Sequence, residues 1–211
     1  MSPAAIVTGG SGGIGRAVVT ELRGRGWEVT SLSRREGCDV SDEAQVQRAF
    51  GRIESLDALV NCAAQLIKRP IQDLTAADWD AQLDVGLRGA FLCSREAFRL
   101  MRKGGGSIVM VSSLSGVAGA EKFPGMAGYV AAKSGLAGLA EALAVEGRPH
   151  GIRVNAISPG AVDTPMLRIA GVAGPSLRPA EVARIIVWLA SPESAPLSGA
   201  NLRLDPSDPA I

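Results

Sequence analysis

Short apolar runs alternate with helical stretches along the whole chain. That alternation predicts an α/β protein with a doubly wound parallel sheet, three layers (α/β/α) in a single domain. Two further observations point the same way. The first apolar run, Ala4 to Thr8, opens directly onto Gly9-Gly10-Ser11-Gly12-Gly13-Ile14-Gly15, and Arg16 to Arg25 follows at helical spacing through Ala17, Val18 and Leu22. The 26 glycines, set against 4% aromatic residues, suit tight turns between short strands and helices. A chain of 211 residues is long enough to bury a substantial core as one domain.

The later elements follow from the same patterns. Trp27 to Ser33 reads as the second strand, with Val29 and Leu32 among β-forming neighbours. Glu36-Gly37 leads at once into Cys38-Asp39-Val40-Ser41-Asp42, where Ser41 or Asp42 is placed to cap a helix from Glu43 to Ile53. Leu56 to Ala63 is the next strand. Thr75 caps one long helix from about Ala76 to Lys103, with Trp79, Leu83, Leu87, Phe91 and Phe98 at packing positions. After Gly104-Gly105-Gly106, Ser107 to Ser113 is a buried strand with hydroxyls at its carboxyl end. The loop Leu114 to Gly128 brings the chain to a helix that carries Tyr129 and Lys133 and runs to about Glu146. Gly151 to Ser158 is a further strand, closed by Pro159-Gly160, and Ala161 to Pro179 is irregular. Pro179 starts a helix through Ala190, and Ala200 to Leu204 is a last short strand.

Composition narrows the function. Lys and Arg total 22 against 21 Asp and Glu, a formal charge of +1, so no electrostatic footprint for nucleic acid exists. Cys38, Cys62 and Cys93 are widely spaced, and His150 is the single histidine, which excludes a disulfide framework and leaves no set of metal ligands. Reduced thiols are expected of a cytoplasmic protein. No secretory signal pattern opens the sequence, and no run of 18 apolar residues is present to span a membrane.

The chemistry is carried by a few constellations. In a strand–turn–helix, glycines let the backbone approach a pyrophosphate while the first helical turn offers unpaired N–H groups to the anion. Arg34, after Ser33 at the end of the second strand, matches a ribose 2′-phosphate; the alternative is that Arg34 and Arg35 are solvated loop charges. In Tyr129-Val130-Ala131-Ala132-Lys133 the two outer residues are four apart on one helix face, a phenol beside an ammonium. A neighbouring cation lowers a tyrosine pKa from its ordinary ~10 and suits the pair to proton transfer with an alcohol or carbonyl.

In their order and context these motifs resemble the short-chain dehydrogenases/reductases, over nearly the whole chain. Thr8-Gly9-x-x-x-Gly13-Ile14-Gly15 is similar to the family's cofactor loop, and Ser11 lies within it. Asp39-Val40 looks like the pair that borders the adenine. Asn61-Cys62-Ala63-Ala64 is similar to N-N-A-G, and Asn155 to Gly160 with Val162 and Thr164 resembles the stretch along the nicotinamide, Pro159 and Gly160 included. Ser113, Tyr129 and Lys133 fall on the family's catalytic serine and Y-x-x-x-K. The resemblance implies a Rossmann-like fold, NADP(H) as cofactor, and a ketoreductase or alcohol dehydrogenase acting on a small carbonyl or secondary alcohol. It also implies proton transfer by Tyr129, with Ser113 hydrogen-bonded to the substrate oxygen. Lys133 lowers the Tyr129 pKa and grips the nicotinamide ribose. Relatives commonly pair through the long helix and the Tyr/Lys helix, which implies a homodimer or homotetramer.

Four departures qualify that expectation. Asp84-Val85-Gly86-Leu87-Arg88-Gly89 has a glycine at position 86 where the family carries an asparagine that holds a relay water. An alternative follows: an NADP(H)-binding protein of the same fold with little or no redox turnover. Two residues, Glu36 and Gly37, stand where relatives have a helix and most of a strand, so the sheet edge is expected to be trimmed. The stretch from Thr164 to Pro179 is a short lid, which suggests an open cleft and a bulky or carrier-tethered substrate. Asp205-Pro206-Ser207 stands where relatives often have D-G-G.

Overall fold

Six parallel strands form one sheet in the order β2-β1-β3-β4-β5-β6, in a computed structural model that describes residues 2–205. The strands are β1 (Ala4–Thr8), β2 (Glu28–Leu32), β3 (Ala58–Asn61), β4 (Gly106–Val111), β5 (Ile152–Pro159) and β6 (Asn201–Leu204). The period of two along each strand sends alternate residues to opposite faces. Ala5, Val7, Ala58, Val60, Val109 and Val111 pack with α1 (Gly13–Gly24) and α7 (Pro179–Ala190). Ile6, Leu59, Ile108 and Met110 pack with α2 (Glu43–Phe50), α4 (Gly89–Met101) and α5 (Ala127–Gly147) on the other face. Both faces are covered, which is why the strands read as continuous apolar runs rather than as an alternation.

Local chemistry sets the helix starts. Asp42 caps α2 by accepting from the Gln45 N–H. Thr75 and Asp78 form a reciprocal capping box at α3 (Ala76–Leu83), and Pro179 occupies the first turn of α7, where its missing N–H is harmless. Of the two proposed caps for α2, Asp42 is the one used.

Three expectations need correction. The helix expected from Ala76 to Lys103 is not continuous. It is α3, then a π-helical turn over Asp84–Arg88, then α4, which ends at Met101. Gly86 lies in the π turn and Gly89 opens α4, so the widened turn coincides with the residues that most weaken a regular helix. The segment after Thr164 is not wholly irregular: Pro165–Ala170 forms a short helix, α6, with Pro165 at its start. Strand and helix ends also shift by a residue or more, with α2 stopping at Phe50 and β3 running from Ala58. Pro206 and Ser207 lie outside the described residues.

The sheet edge is trimmed as expected. β2 is an outer strand, followed by a single turn at Arg34–Glu36 and by Gly37 in the left-handed region (φ 80°). The Cys38 N–H returns to the Ser33 carbonyl at 2.9 Å, and the chain then buries Cys38 and Val40 against the core. Gly89 allows that approach: a Cβ there would lie 2.9 Å from Val40 Cγ2.

Candidate active site

The strand order reverses between β1 and β3, and ligands of open α/β sheets bind beyond the carboxyl ends of strands at such a point. Here the Thr8 hydroxyl accepts from the N–H groups of Cys62 and Ala63, at 3.0 and 3.1 Å, and so ties the ends of the two strands together. The loop above them is built on glycine. A Cβ at Gly9 would stand 2.9 Å from Ala63 Cα, and one at Gly15 would stand 2.3 Å from the Gly9 carbonyl oxygen. Space above Gly12 is open. α1 has neither a side-chain cap nor an acidic residue in its first turn, so its leading N–H groups face that space without a competing anion. This arrangement fits a dinucleotide diphosphate. Gly9, Ser11, Gly13 and Gly15 form the cradle, and Gly13 approaches Thr164, where an added Cβ would find the Thr164 methyl at 3.4 Å.

A cavity of about 660 Å³ continues from this cradle, and Ile14, Ser113, Tyr129, Pro159, Gly160, Val162 and Thr164 all line it. Leu66, Phe123, Met126, Met166, Ala170 and Val172 give it an apolar wall, in part the cluster that packs α6 over Tyr129 and Val130. Lys68 Nζ reaches the Ala170 carbonyl at the end of α6, at 2.5 Å, and ties the lid to the segment after β3. No sequence motif signalled that wall or the Lys68 tie. Their residues come from three separated segments and meet only in the folded chain.

Ser113, Tyr129 and Lys133 are brought together by the junction of β4 with α5. The Ser112 hydroxyl donates to the Lys133 carbonyl at 2.7 Å, and the Ser134 hydroxyl donates to the Gly116 carbonyl at 3.0 Å. Gly116 lies so close to α5 that a Cβ would be 2.6 Å from the Lys133 carbonyl carbon. Ser113 and Tyr129 both line the cavity, and the Ser113 Oγ accepts from the Ser115 N–H at 3.2 Å. Lys133 is 3% exposed, and its Nζ donates to the Val111 carbonyl at 2.5 Å and lies 5.6 Å from the Tyr129 ring centre.

Burial dominates the electrostatics. It pushes the Tyr129 phenol up to about 12, against the opposing effect of the nearby Ser113 hydroxyl. It pulls the Lys133 ammonium down to about 8, and pushes the neighbouring Cys62 thiol up to about 11. The expected lowering of the Tyr129 pKa by Lys133 is not seen in this chain: burial of the phenol is the largest influence and raises it.

The remaining expected site residues divide. Asn61 is a core group: the pleat turns its side chain toward α4, where Nδ2 donates to Ser94 Oγ at 3.0 Å, and it is 3% exposed. Val40 likewise packs inward against Gly89. Asp39 accepts from both the N–H and the hydroxyl of Ser41. Ala63 and Ala64 follow β3 at the switch point, half-buried. Arg34 is exposed in the turn beyond β2. No cluster of three or more potential metal-ligating side chains occurs among the described residues.

A parallel sheet with a glycine cradle at its switch point and a serine–tyrosine–lysine set beside it defines a class of dinucleotide-dependent oxidoreductases. The comparisons make the assignment. The family model described as enoyl-(acyl carrier protein) reductase matches residues 9–206. The chain is 36% identical to a 3beta-hydroxysteroid dehydrogenase of Mediterraneibacter gnavus, over 76% of this chain and 66% of that protein. It is 34% identical to the short-chain reductase protein NovJ of Streptomyces niveus, covering 97% and 93%, and 33% identical to an acetoacetyl-CoA reductase of Allochromatium vinosum, covering 96% of each. The ligand-free aldohexose dehydrogenase of Thermoplasma acidophilum superposes with a TM-score of 0.89 at 28% identity, covering 97% and 92%. The chain belongs to the short-chain dehydrogenase/reductase family, an oxidoreductase family that uses nicotinamide cofactors.

Proposed function

We propose that this chain is an NADPH-dependent reductase of a neutral carbonyl compound, working reversibly as a secondary alcohol dehydrogenase. The observation that carries the reading is that Ser113 and Tyr129 together line the wall of the cavity, adjacent to the glycine cradle. When bound, the nicotinamide exchanges the hydride. The residues of the chain handle the oxygen. With its pKa near 12, the Tyr129 phenol is protonated at neutral pH and ready to give its proton to an alkoxide developing on the substrate. Ser113 donates to the same oxygen and stabilises the charge formed in the transition state. The Lys133 ammonium adds positive potential behind the phenol and, as the family resemblance implies, would hold the nicotinamide ribose. Arg34 supplies the cation for a 2′-phosphate.

The apolar wall favours a substrate that is neutral around its carbonyl, and the pinned lid supports a bulky ring over a charged chain. Several relatives are named for such substrates, among them the cyclopentanol dehydrogenase of Comamonas testosteroni. Phe91 on α4 and Val145 on α5 leave apolar surface exposed, which supports a homodimer or homotetramer built through those helices. A second reading, a nucleotide-binding protein without turnover, is motivated by Gly86, which faces Ala132 of α5 and carries no side chain where the family's relay asparagine stands.

The test compares wild type with Tyr129→Phe in NADPH oxidation at 340 nm over a panel of cyclic ketones, with nucleotide binding followed by fluorescence. Turnover is expected in wild type and lost by at least a hundredfold in the variant, with binding retained. Tight NADPH binding without turnover on any ketone favours the second reading.

A further inference from the structure

Gln82 stands on α3 and is 1% exposed, although an amide that loses its water gains nothing from burial unless its polar atoms are paired. The pairing here is specific. Oε1 accepts from the Ile67 N–H at 3.0 Å, and Nε2 donates to the Asp78 carbonyl one turn back at 3.1 Å. The amide also fills the space in front of α5: a Cβ on Gly128, the residue before Tyr129, would fall 2.6 Å from Nε2. One side chain therefore meets both the segment after β3 and the first turn of the helix that carries Tyr129.

That segment reaches the lid. Leu66 packs with Met126 and Ala170 in the apolar wall. Lys68 crosses Gly125, where a Cβ would lie 3.2 Å from its Cγ. Its ammonium then meets the Ala170 carbonyl at the end of α6, a place that favours a cation. The Arg69 N–H donates to the Gly125 carbonyl at 2.9 Å, and the Arg69 guanidinium pairs with Asp78 of α3 at 3.2 Å. We infer that Gln82 and Lys68 are positioning residues for the substrate, joining α3, the start of α5 and α6 into one frame that holds the lid over Tyr129. The linkage stands on these contacts alone, and its consequence for catalysis rests on the reductase reading above. A ketone covered by α6 needs the lid in place, so its apparent affinity falls with the fraction of molecules in which the lid is elsewhere. Proton transfer from Tyr129 keeps its rate once the ketone is bound. Loss of the linkage therefore raises KM rather than lowering kcat.

The test uses the full chain with NADPH and decalone as a bulky ketone, and compares wild type with Lys68→Met, Lys68→Arg, Gln82→Met and Lys68→Met/Gln82→Met. Hydrogen–deuterium exchange of the peptides covering α6 is followed alongside the kinetics. Lys68→Met and Gln82→Met are each expected to speed exchange in α6 and to raise KM about tenfold, with kcat changed by less than about twofold. Lys68→Arg keeps a donor and should restore both readouts. Two residues acting through one linkage are not independent, so the double variant should raise KM no further than the larger single effect. Lys68 is exposed, and its variants carry the test if Gln82→Met does not fold. Unchanged exchange in Lys68→Met, a fall in kcat at constant KM, or KM effects that multiply in the double variant overturns the role of the pair and leaves the reductase reading standing. Wild type that reduces no ketone overturns the reductase reading, and exchange in α6 then decides the linkage by itself.

Discussion

Lys133 shows how one buried group couples the site to the stability of the whole chain. The folded chain releases its proton near pH 8, whereas the unfolded chain holds it to 10.5. Between those values the unfolded state binds more protons, so this group makes stability rise with pH, and its cost is present in full below about 8. Tyr129 acts in the opposite sense at higher pH. Folded, it keeps its proton to about 12, and unfolded it gives it up near 10.0, so its contribution is lost as pH climbs through that interval. Lys133→Met should therefore flatten the rise in unfolding free energy between pH 8 and 10 relative to wild type, read from urea titrations at each pH. An unchanged slope would show that the ammonium is better solvated than its burial implies. The presence of Ser113, Tyr129 and Lys133 was legible in the sequence, because spacing on a helix fixes which residues are neighbours. The direction of their pKa shifts was not, because burial depends on what the rest of the chain lays over them.

The π turn between α3 and α4 separates two glycines that the sequence treats alike. At Gly86 an added Cβ meets only the Ala132 Cβ, at 3.3 Å, whereas at Gly89 it would strike Val40 at 2.9 Å and its carbonyl oxygen at 3.1 Å. Gly86→Asn should accordingly fold with near wild-type stability and preserve or raise turnover. Gly89→Ala should cost about 1–3 kcal/mol by urea unfolding, the range for forcing extra volume into a packed contact. Equal losses at the two positions would remove the distinction. The element boundaries tell a related story. Thr75, Asp42 and Pro179 marked their helix starts in the sequence, since capping is local chemistry. The π turn carried no such mark. It is set by the close approach of α4 to the segment Cys38–Val40, and that contact spans some fifty residues of chain.

Over the whole molecule, the trimmed edge leaves β2 exposed on one side, where the Arg23 guanidinium donates to the Val29 carbonyl at 3.2 Å and covers part of the open strand. The alignment with NovJ runs over 251 residues against the 211 of this chain, which agrees with elements being absent rather than reshaped. A nucleotide that fills the cradle joins β1, β3, α1 and the Thr164 segment. NADPH at a hundred times its dissociation constant should then stabilise the fold by about 2.7 kcal/mol and raise the melting temperature by roughly 5–10 °C for a chain of this size. A melting curve that does not move with nucleotide concentration would contradict the cradle assignment.

The sequence by itself determined the alternation of strands and helices, the glycine turn, and the order of the serine, tyrosine and lysine, because these depend on spacing along the chain and on local backbone chemistry. Tertiary structure alone decided that Asn61 and Val40 turn inward, that Lys133 is desolvated, and that α6 is pinned over an apolar wall by Lys68. Those outcomes depend on contacts between distant segments, and a linear pattern does not encode which side chains such contacts will bury or bring together.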